Sequence, residues 1–515
     1  MRLLIKDLSQ SSNKNIGLIF LSLLVGLAAG TLASFYRLVL SLAEKYGMVL
    51  YQQASRHLIY LMLLLPALLF LSFIVSMLMK KYPMSSGSGI PQVKGQLLGY
   101  FKPDWFSTAW AKFVGGTLAM FAGLSLGREG PSIQLGAAMG QAIAQKFSHT
   151  ERHQRLLIAS GASAGLSAAF NAPLSGIMFT LEEVFKYFSP LILLTCMTSA
   201  IVADAVSRLI FGSASIFDFQ IITSFPLSDY WLLLLLGILM GIFGAVYNYS
   251  LLQGQRLMKL KIHSPFLRVL LSFVASALIA LFFPLISGSG HHLIDQLTLS
   301  WGLVFLCLVF ISKFFISIIS YASGVPGGIF FPLLVLGASL GSIFATVFIP
   351  LFHLSGALFP NFIILAMAAT FTAIVRAPMT GILLLVEMTG SFDHLLPLAF
   401  VSLISYLVAE FLHSEPIYHS LLNNLLATDS EIPAENTGHI MIEVLVQFDS
   451  KADHELVQNL ALPEDTLLVS IQRNGEKIIP RGDTTLYAGD IATFLTTQIQ
   501  ETRVRQKIKD LFTDE

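Results

Sequence analysis

The 515-residue chain is 55% hydrophobic and only 12% charged, with a mean hydropathy of +0.73, against roughly 25% charged residues in an ordinary soluble domain. That balance excludes a soluble enzyme. The formal net charge is zero, 31 basic against 31 acidic residues, so the total marks no nucleic-acid partner.

In chain order, a polar start (residues 1–15) leads into an apolar run from Ile16 to Leu40. It is too long for a signal-peptide core and lacks a small-residue cleavage site, so a first transmembrane helix is expected. Further runs able to cross a ~30 Å core lie at about 58–79, 190–212, 228–252, 265–286, 300–320 and 393–413. The stretches 107–147, 155–187, 328–349 and 361–390 are equally apolar. Gly and Pro cut them into pieces of about 10 to 18 residues, too short for simple spans. Interrupted segments at matching places in two halves are what broken helices around a midplane transport site leave in a sequence. From Thr428 onward the composition changes. The last 88 residues hold 16 acidic and 8 basic residues, so the tail carries −8 and the first 427 residues +8.

The halves, about 16–212 and 228–425, do match. Gly87-Ser88-Gly89 recurs as Gly288-Ser289-Gly290, and Pro131, Leu135, Gly136, Ala137 and Gly140 recur as Pro332, Leu336, Gly337, Ala338 and Gly341, both at offset 201. Ala172-Pro173-x-Ser175-Gly176-Ile177 recurs at offset 205 as Ala377-Pro378-x-Thr380-Gly381-Ile382, and each copy is followed by a carboxylate, Glu182 or Glu387. Three blocks in one order imply an internal duplication. Whether it is parallel or inverted is not visible in sequence, although an odd number of spans per half would invert it. Arg2, Lys6 and Lys14, then Lys80 and Lys81, then the Glu151–Arg155 segment are assigned to the cytoplasmic side. Cys196 and Cys307 lie 111 residues apart in apolar stretches and are expected to be buried thiols. The tail reads as a small α+β domain: strands at Met441–Phe448, Thr466–Gln472 and Glu476–Ile479, a short helix at His454–Leu462, and a hairpin signal at Arg473-Asn474-Gly475.

Five motifs carry chemistry. Ser86-Gly87-Ser88-Gly89-Ile90-Pro91 offers glycine-turned amides and a hydroxyl that together suit a dehydrated anion without a fixed cation; it also suits a helix-breaking turn with a capping Ser. Gly127-Arg128-Glu129-Gly130-Pro131 places a carboxylate deep in apolar sequence, where charge is costly. At an anion-binding helix start that carboxylate would compete with the anion and leave when protonated, a gate coupled to protons; the alternative is a Glu complementing the helix dipole. In Phe179-Thr180-Leu181-Glu182-Glu183, neighbours sit ~100° apart on a helix, so only one carboxylate faces a given pathway. Glu182 has its repeat mate in Glu387, which leaves Glu183 as the asymmetric one. Gly327-Gly328-Ile329-Phe330-Phe331-Pro332 provides amides at the start of a second-half helix. Tyr418 ends the last span, either as an interfacial anchor or as a ligand.

GSGIP at 87–91, GREGP at 127–131, GGIFFP at 327–332 and the late Tyr418 make the chain similar, over roughly residues 16–425, to the CLC chloride channel and transporter family. The resemblance implies an all-α polytopic membrane protein with an inverted-repeat fold of broken helices (residues 1–427), and a homodimer with one pore per subunit. It implies an anion site of Ser88, Gly328, Ile329, Phe330 and Tyr418, with Glu129 as external gate, Glu183 as the internal proton-transfer residue and Lys112 near the site. Gly87, Gly89, Pro91, Gly127, Arg128, Gly130 and Pro131 support it. The tail (428–515) departs from the paired CBS domains of many members. Its Ile479–Thr484 and Ala488-Gly489-Asp490 segments are similar to the C-terminal subdomain of RCK (TrkA-type) regulators, which implies a possible small ligand and dimer contact.

The expected function is chloride/proton antiport in a cell (inner) membrane, both termini cytoplasmic, with chloride, protons and lipid as partners and no cofactor, metal, nucleic acid or enzymatic activity. A passive voltage- or pH-gated chloride channel is the alternative, discriminated by Glu183. The fluoride-exporting branch tends to replace the GSGIP serine and to lose the late tyrosine, and this chain keeps both. An intramembrane protease is suggested only by the G-x-S-x-G spelling of Gly123–Gly127, which needs a strand-to-helix elbow and a histidine partner; His291 and His292 are the only histidines near a repeat motif.

Overall fold

The computed structural model describes residues 2–148, 150–186, 188–213, 217, 225–428, 439–463, 466–473, 476–497 and 501–512. Two compact units emerge, Met1–Thr428 and Asp429–Glu515.

In the first unit, eight helices among the described residues are long and apolar enough to cross a membrane. The first continues past the apolar run to Arg56, and the expected spans near 58–79, 190–212, 228–252, 265–286 and 300–320 appear as Leu58–Lys81, Pro190–Phe211, Leu227–Lys261, Pro265–Phe282 and Leu303–Ala322. Two segments expected to be too short are full-length, Phe330–Leu351 and Gly356–Val375. In the first of these the glycines pack rather than break. Gly341 lies directly against Phe362, Ile363 and Ala366 of the partner helix, where any side chain would collide, the close approach that small residues allow between membrane helices. The last expected span, near 393–413, is the 17-residue helix Leu395–Phe411. Several starts follow from local chemistry: Asp104 accepts from the Ser107 amide (2.9 Å), and Pro173 and Pro378 occupy the first turn of theirs.

The duplication is visible in bonds. Gly127 and Gly328, 201 residues apart, form a two-way antiparallel bridge, with N–H···O distances of 2.6 and 2.8 Å. The Gly87 amide donates to the Gly324 carbonyl (3.0 Å), and the Gly288 amide donates to the Gly123 carbonyl (3.1 Å), the same bond with the two halves exchanged at the 201 offset. Glu182 accepts from the Thr380 amide and hydroxyl (2.9 and 2.8 Å), while Glu387 accepts from the Ser175 amide and hydroxyl (2.8 and 2.5 Å). Each half therefore caps a helix of the other, which assigns Glu182 and Glu387 a shared structural task. Cys196 is buried as expected, whereas Cys307 is only partly so, because its helix side faces outward.

The second unit holds a four-stranded antiparallel sheet of β1 (His439–Leu445), β2 (Thr466–Arg473), β3 (Glu476–Ile478) and β4 (Ile491–Thr497) in the order β1-β4-β2-β3. A helix, Glu501–Phe512, packs Val504, Ile508 and Phe512 into the core, at the i, i+4, i+8 spacing of one helix face. Neither β4 nor this helix was expected from the sequence pattern. The expected helix at His454–Leu462 is instead a single tight turn, Val457–Asn459, flanked by extended chain; the Val457 and Gln458 amides bond to the Thr484 and Gly482 carbonyls rather than within a helix of their own. The Asn474-Gly475 turn lies outside the described residues.

The tail is pinned by Arg473, whose guanidinium donates twice to Asp490 (2.8 and 2.7 Å) and stacks on Tyr487. Burial opposes the Asp490 charge, but the Arg473 bonds and the Tyr487 amide outweigh it and hold the carboxyl below its ordinary value. That stability is present above about pH 4 and lost as pH falls through the lower folded value. D490N is expected to destabilise this unit by about 1–3 kcal/mol at neutral pH, read as a lower calorimetric unfolding temperature; an unchanged transition contradicts the assignment.

Candidate anion site

The site forms where four interrupted segments meet. Gly87 and Gly89 take positive φ (63° and 98°), conformations nearly free to glycine, so the chain turns sharply before the Ile90–Leu98 helix. Ser88, between them, is fully buried and its hydroxyl has no hydrogen-bond partner in the protein. Gly130 lies against Ser88, leaving no room for a side chain there. Lys112 fixes the turn from behind by donating to the Ser85 and Gly87 carbonyls (2.9 and 2.7 Å).

Arg128 and Glu129 begin the Glu129–Phe147 helix. Both Glu129 oxygens are buried beside the Glu129 and Phe331 amides, with no hydrogen bond of full geometry. Gly127 is needed at this point, since a side chain would strike the Glu129 carboxylate and stand 3.0 Å from the Phe331 nitrogen. Gly328 faces the Gly130 backbone across the bridge, and Ile329 and Phe330 open the Phe330–Leu351 helix. Phe330 packs at tilted or edge-on angles against Phe170, Phe179 and Phe371 (ring centroids 5.2, 6.1 and 4.8 Å), and Phe179 meets the Tyr418 ring edge-on at 6.2 Å. Tyr418 is fully buried and its hydroxyl also has no protein partner. Ser88, Gly328, Ile329, Phe330 and Tyr418 are all buried; Ser88 and Gly328 both lie against Gly130, and Phe330 and Tyr418 both lie against Phe179. Buried hydroxyls without partners are uncommon in native structures and call for an explanation. Pro91 and Pro131 occupy first turns of their helices, where proline loses no bond.

Glu183 lies farther along, buried in a π-helical segment, Thr180–Phe185. The wider turn aims Glu183 inward while Glu182 reaches across to the second half. Its Oε1 accepts from Lys94 Nζ at 2.7 Å, a partner that the sequence reading missed. Lys313 was missed too: it donates to the Ile286 and Gly288 carbonyls (3.0 and 2.8 Å) as Lys112 does in the first half. Glu44 is a third, accepting from the Ser289 amide and hydroxyl (both 2.8 Å). A charged residue inside an apolar run was the available signal for all three.

The protease reading finds no support. Ser125 bonds to Ser317 and its amide to the Ser320 hydroxyl (2.9 and 3.1 Å), and His291 packs instead on the Phe331 ring, 3.8 Å away. No named strand precedes the serine among the described residues of this unit.

Two helical halves joined by reciprocal bonds, with helix starts converging on buried, unpartnered hydroxyls, define a multi-pass membrane protein of the duplicated, broken-helix class. The chain belongs to the voltage-gated chloride channel (CLC) family, whose pattern it matches over residues 71–410, and residues 441–509 match the TrkA-C domain. It is 37% identical to the H+/Cl− exchange transporter ClcA of Vibrio cholerae over 425 residues, 79% of this chain and 89% of the relative. In three dimensions it resembles a slow cyanobacterial Cl−/H+ antiporter (32% identity, 80% of this chain and 99% of the other, TM-score 0.75). A CLC-type fluoride/proton antiporter is also similar (26% identity, 78% and 97% coverage, TM-score 0.64). The halves accordingly form the inverted repeat of that fold.

Proposed function

We propose that this protein exchanges chloride for protons across the membrane. The observation that carries the reading is the set of single-copy groups on a duplicated frame. At the 201 and 205 offsets, Glu129 faces Phe330 and Glu183 faces Met388. The frame is repeated, but the two carboxylates occur once.

Chloride binds among the Ser88 hydroxyl, the Ile329 and Phe330 amides and the Tyr418 hydroxyl. These are neutral donors, which hold an anion without trapping it. Glu129 competes for the same amides when ionised and withdraws when protonated. Protons reach it from the inner side through Glu183, off the anion path. Retention of Ser88 and Tyr418 favours chloride-like anions over fluoride. Lys102, Glu151 and Arg155 line one pocket with Gly99, which supports placing the Ile90–Leu98 helix end on the cytoplasmic side, the side the basic residues assign to both termini. A homodimer with one pathway per subunit fits the family, and the TrkA-C-like tail suits a regulatory small ligand.

In proteoliposomes, a chloride gradient at zero voltage is expected to drive protons uphill. Chloride flux with no proton movement would instead favour the passive channel.

A further inference from the structure

We propose that Lys94 is the positioning residue of the proton route, clamping Glu183 so that one carboxylate oxygen is fixed and the other faces the inner aqueous edge. This rests on the role given above to Glu183.

Lys94 Nζ and Glu183 Oε1 are 2.7 Å apart and both side chains are almost fully buried. No other ion pair among the described residues has both partners buried. Such a pair is a poor stabilising device, since desolvation consumes most of its Coulomb energy and apolar residues of similar size pack as well; in a membrane the cost is larger. A positional task accounts for its presence.

The repeat supports the same conclusion. Lys112 and Lys313 hold equivalent turns, and Glu182 and Glu387 cap equivalent helices, so duplicated charges serve the frame. Lys94 is not duplicated: its mate is Asp295, and the mate of Glu183 is Met388. The pair therefore exists only in the half that carries Glu129 and Ser88.

Geometry gives the clamp its direction. Glu183 Oε2 lies 4.0 Å from Lys186, whose side chain is about half exposed (48%). Oε1 is thus held on the buried side while Oε2 is turned toward a solvent-reachable ammonium. Lys94 also sits six residues after Ser88, on the helix that begins at the anion turn, and Gln92 ties that helix to the Ser86 carbonyl (2.7 Å). A shift of the turn on anion binding is transmitted to the clamp. The other titratable groups around the pair are Glu182 and Lys186 on its own segment, and Tyr418 and His419 on Ile417–Thr428.

The test compares K94M, K94R and E183Q in the full-length protein in proteoliposomes, with chloride flux and chloride-driven proton flux measured across pH. K94M is expected to retain chloride flux, to lose about tenfold or more of its proton flux as a positioned proton-transfer group is released, and to displace the pH profile of what remains. K94R is expected to restore both rate and profile. A K94M protein that couples like the parent while E183Q is uncoupled overturns the assignment of Lys94 alone. An E183Q protein that remains coupled overturns the role of Glu183 and the proposal with it. Parallel loss of both fluxes in K94M, unrepaired by K94R, marks a purely structural lysine and also overturns the proposal.

Discussion

Glu183→Gln is expected to keep chloride flux while proton transport driven by a chloride gradient falls by roughly 100-fold or more, the scale at which a positioned proton carrier contributes. The side chain is buried and its Oε1 accepts from Lys94 at 2.7 Å. Glutamine keeps the size and an oxygen for the lysine, but it cannot take up and release a proton. The substitution leaves the Ser88 hydroxyl and the Ile329 and Phe330 amides unchanged, so these anion donors stay in place. The measurement is a pair of traces from one preparation, chloride efflux and external pH. If the variant still moves protons against their gradient at the parental rate, another group carries them and the assignment fails.

The turns of the candidate site were legible in sequence because glycine marks them. Gly87 and Gly89 take positive φ, and Gly127 and Gly328 bridge each other's backbones across the two halves. The duplication was legible for a similar reason: Gly136 and Gly341 mark close helix contacts that tolerate no side chain. What could not be read was which charges meet. Lys94 and Glu183 are 89 residues apart and Glu44 and Ser289 are 245 apart, and no local spacing encodes such pairs. The length of Phe330–Leu351 was underestimated because Gly337 and Gly341, buried against a partner helix, read in sequence like breaks; Gly356–Val375 was underestimated because Pro360 stands in a first helical turn that the chain tolerates. In the tail, the expected helix at 454–462 failed because its amides bond to a distant loop, a tertiary override of local preference.

Glu129→Gln is expected to give chloride flux that no longer drives protons, with the coupled fraction below about a tenth of the parent's. The wild-type carboxylate is buried beside the Glu129 and Phe331 amides, the donors an anion entering from that side would need. Two negative charges a few ångströms apart in a low-dielectric site repel strongly, so chloride and the ionised carboxylate exclude each other. In the proposed exchange, protonation would remove the repulsion and free the amides, and this alternation would link the two ions. Glutamine resembles the protonated form permanently: it is neutral, similar in size and never discharges a proton. The parent's chloride flux is expected to decline as pH rises and the ionised gate returns to the helix start, and the variant's flux is expected to lose that decline. The discriminating experiment follows chloride flux against pH for both proteins with proton movement recorded together. A variant that remains strictly coupled, or whose flux falls with pH as the parent's does, would mean that the competition for the Phe331 helix start is not the coupling step.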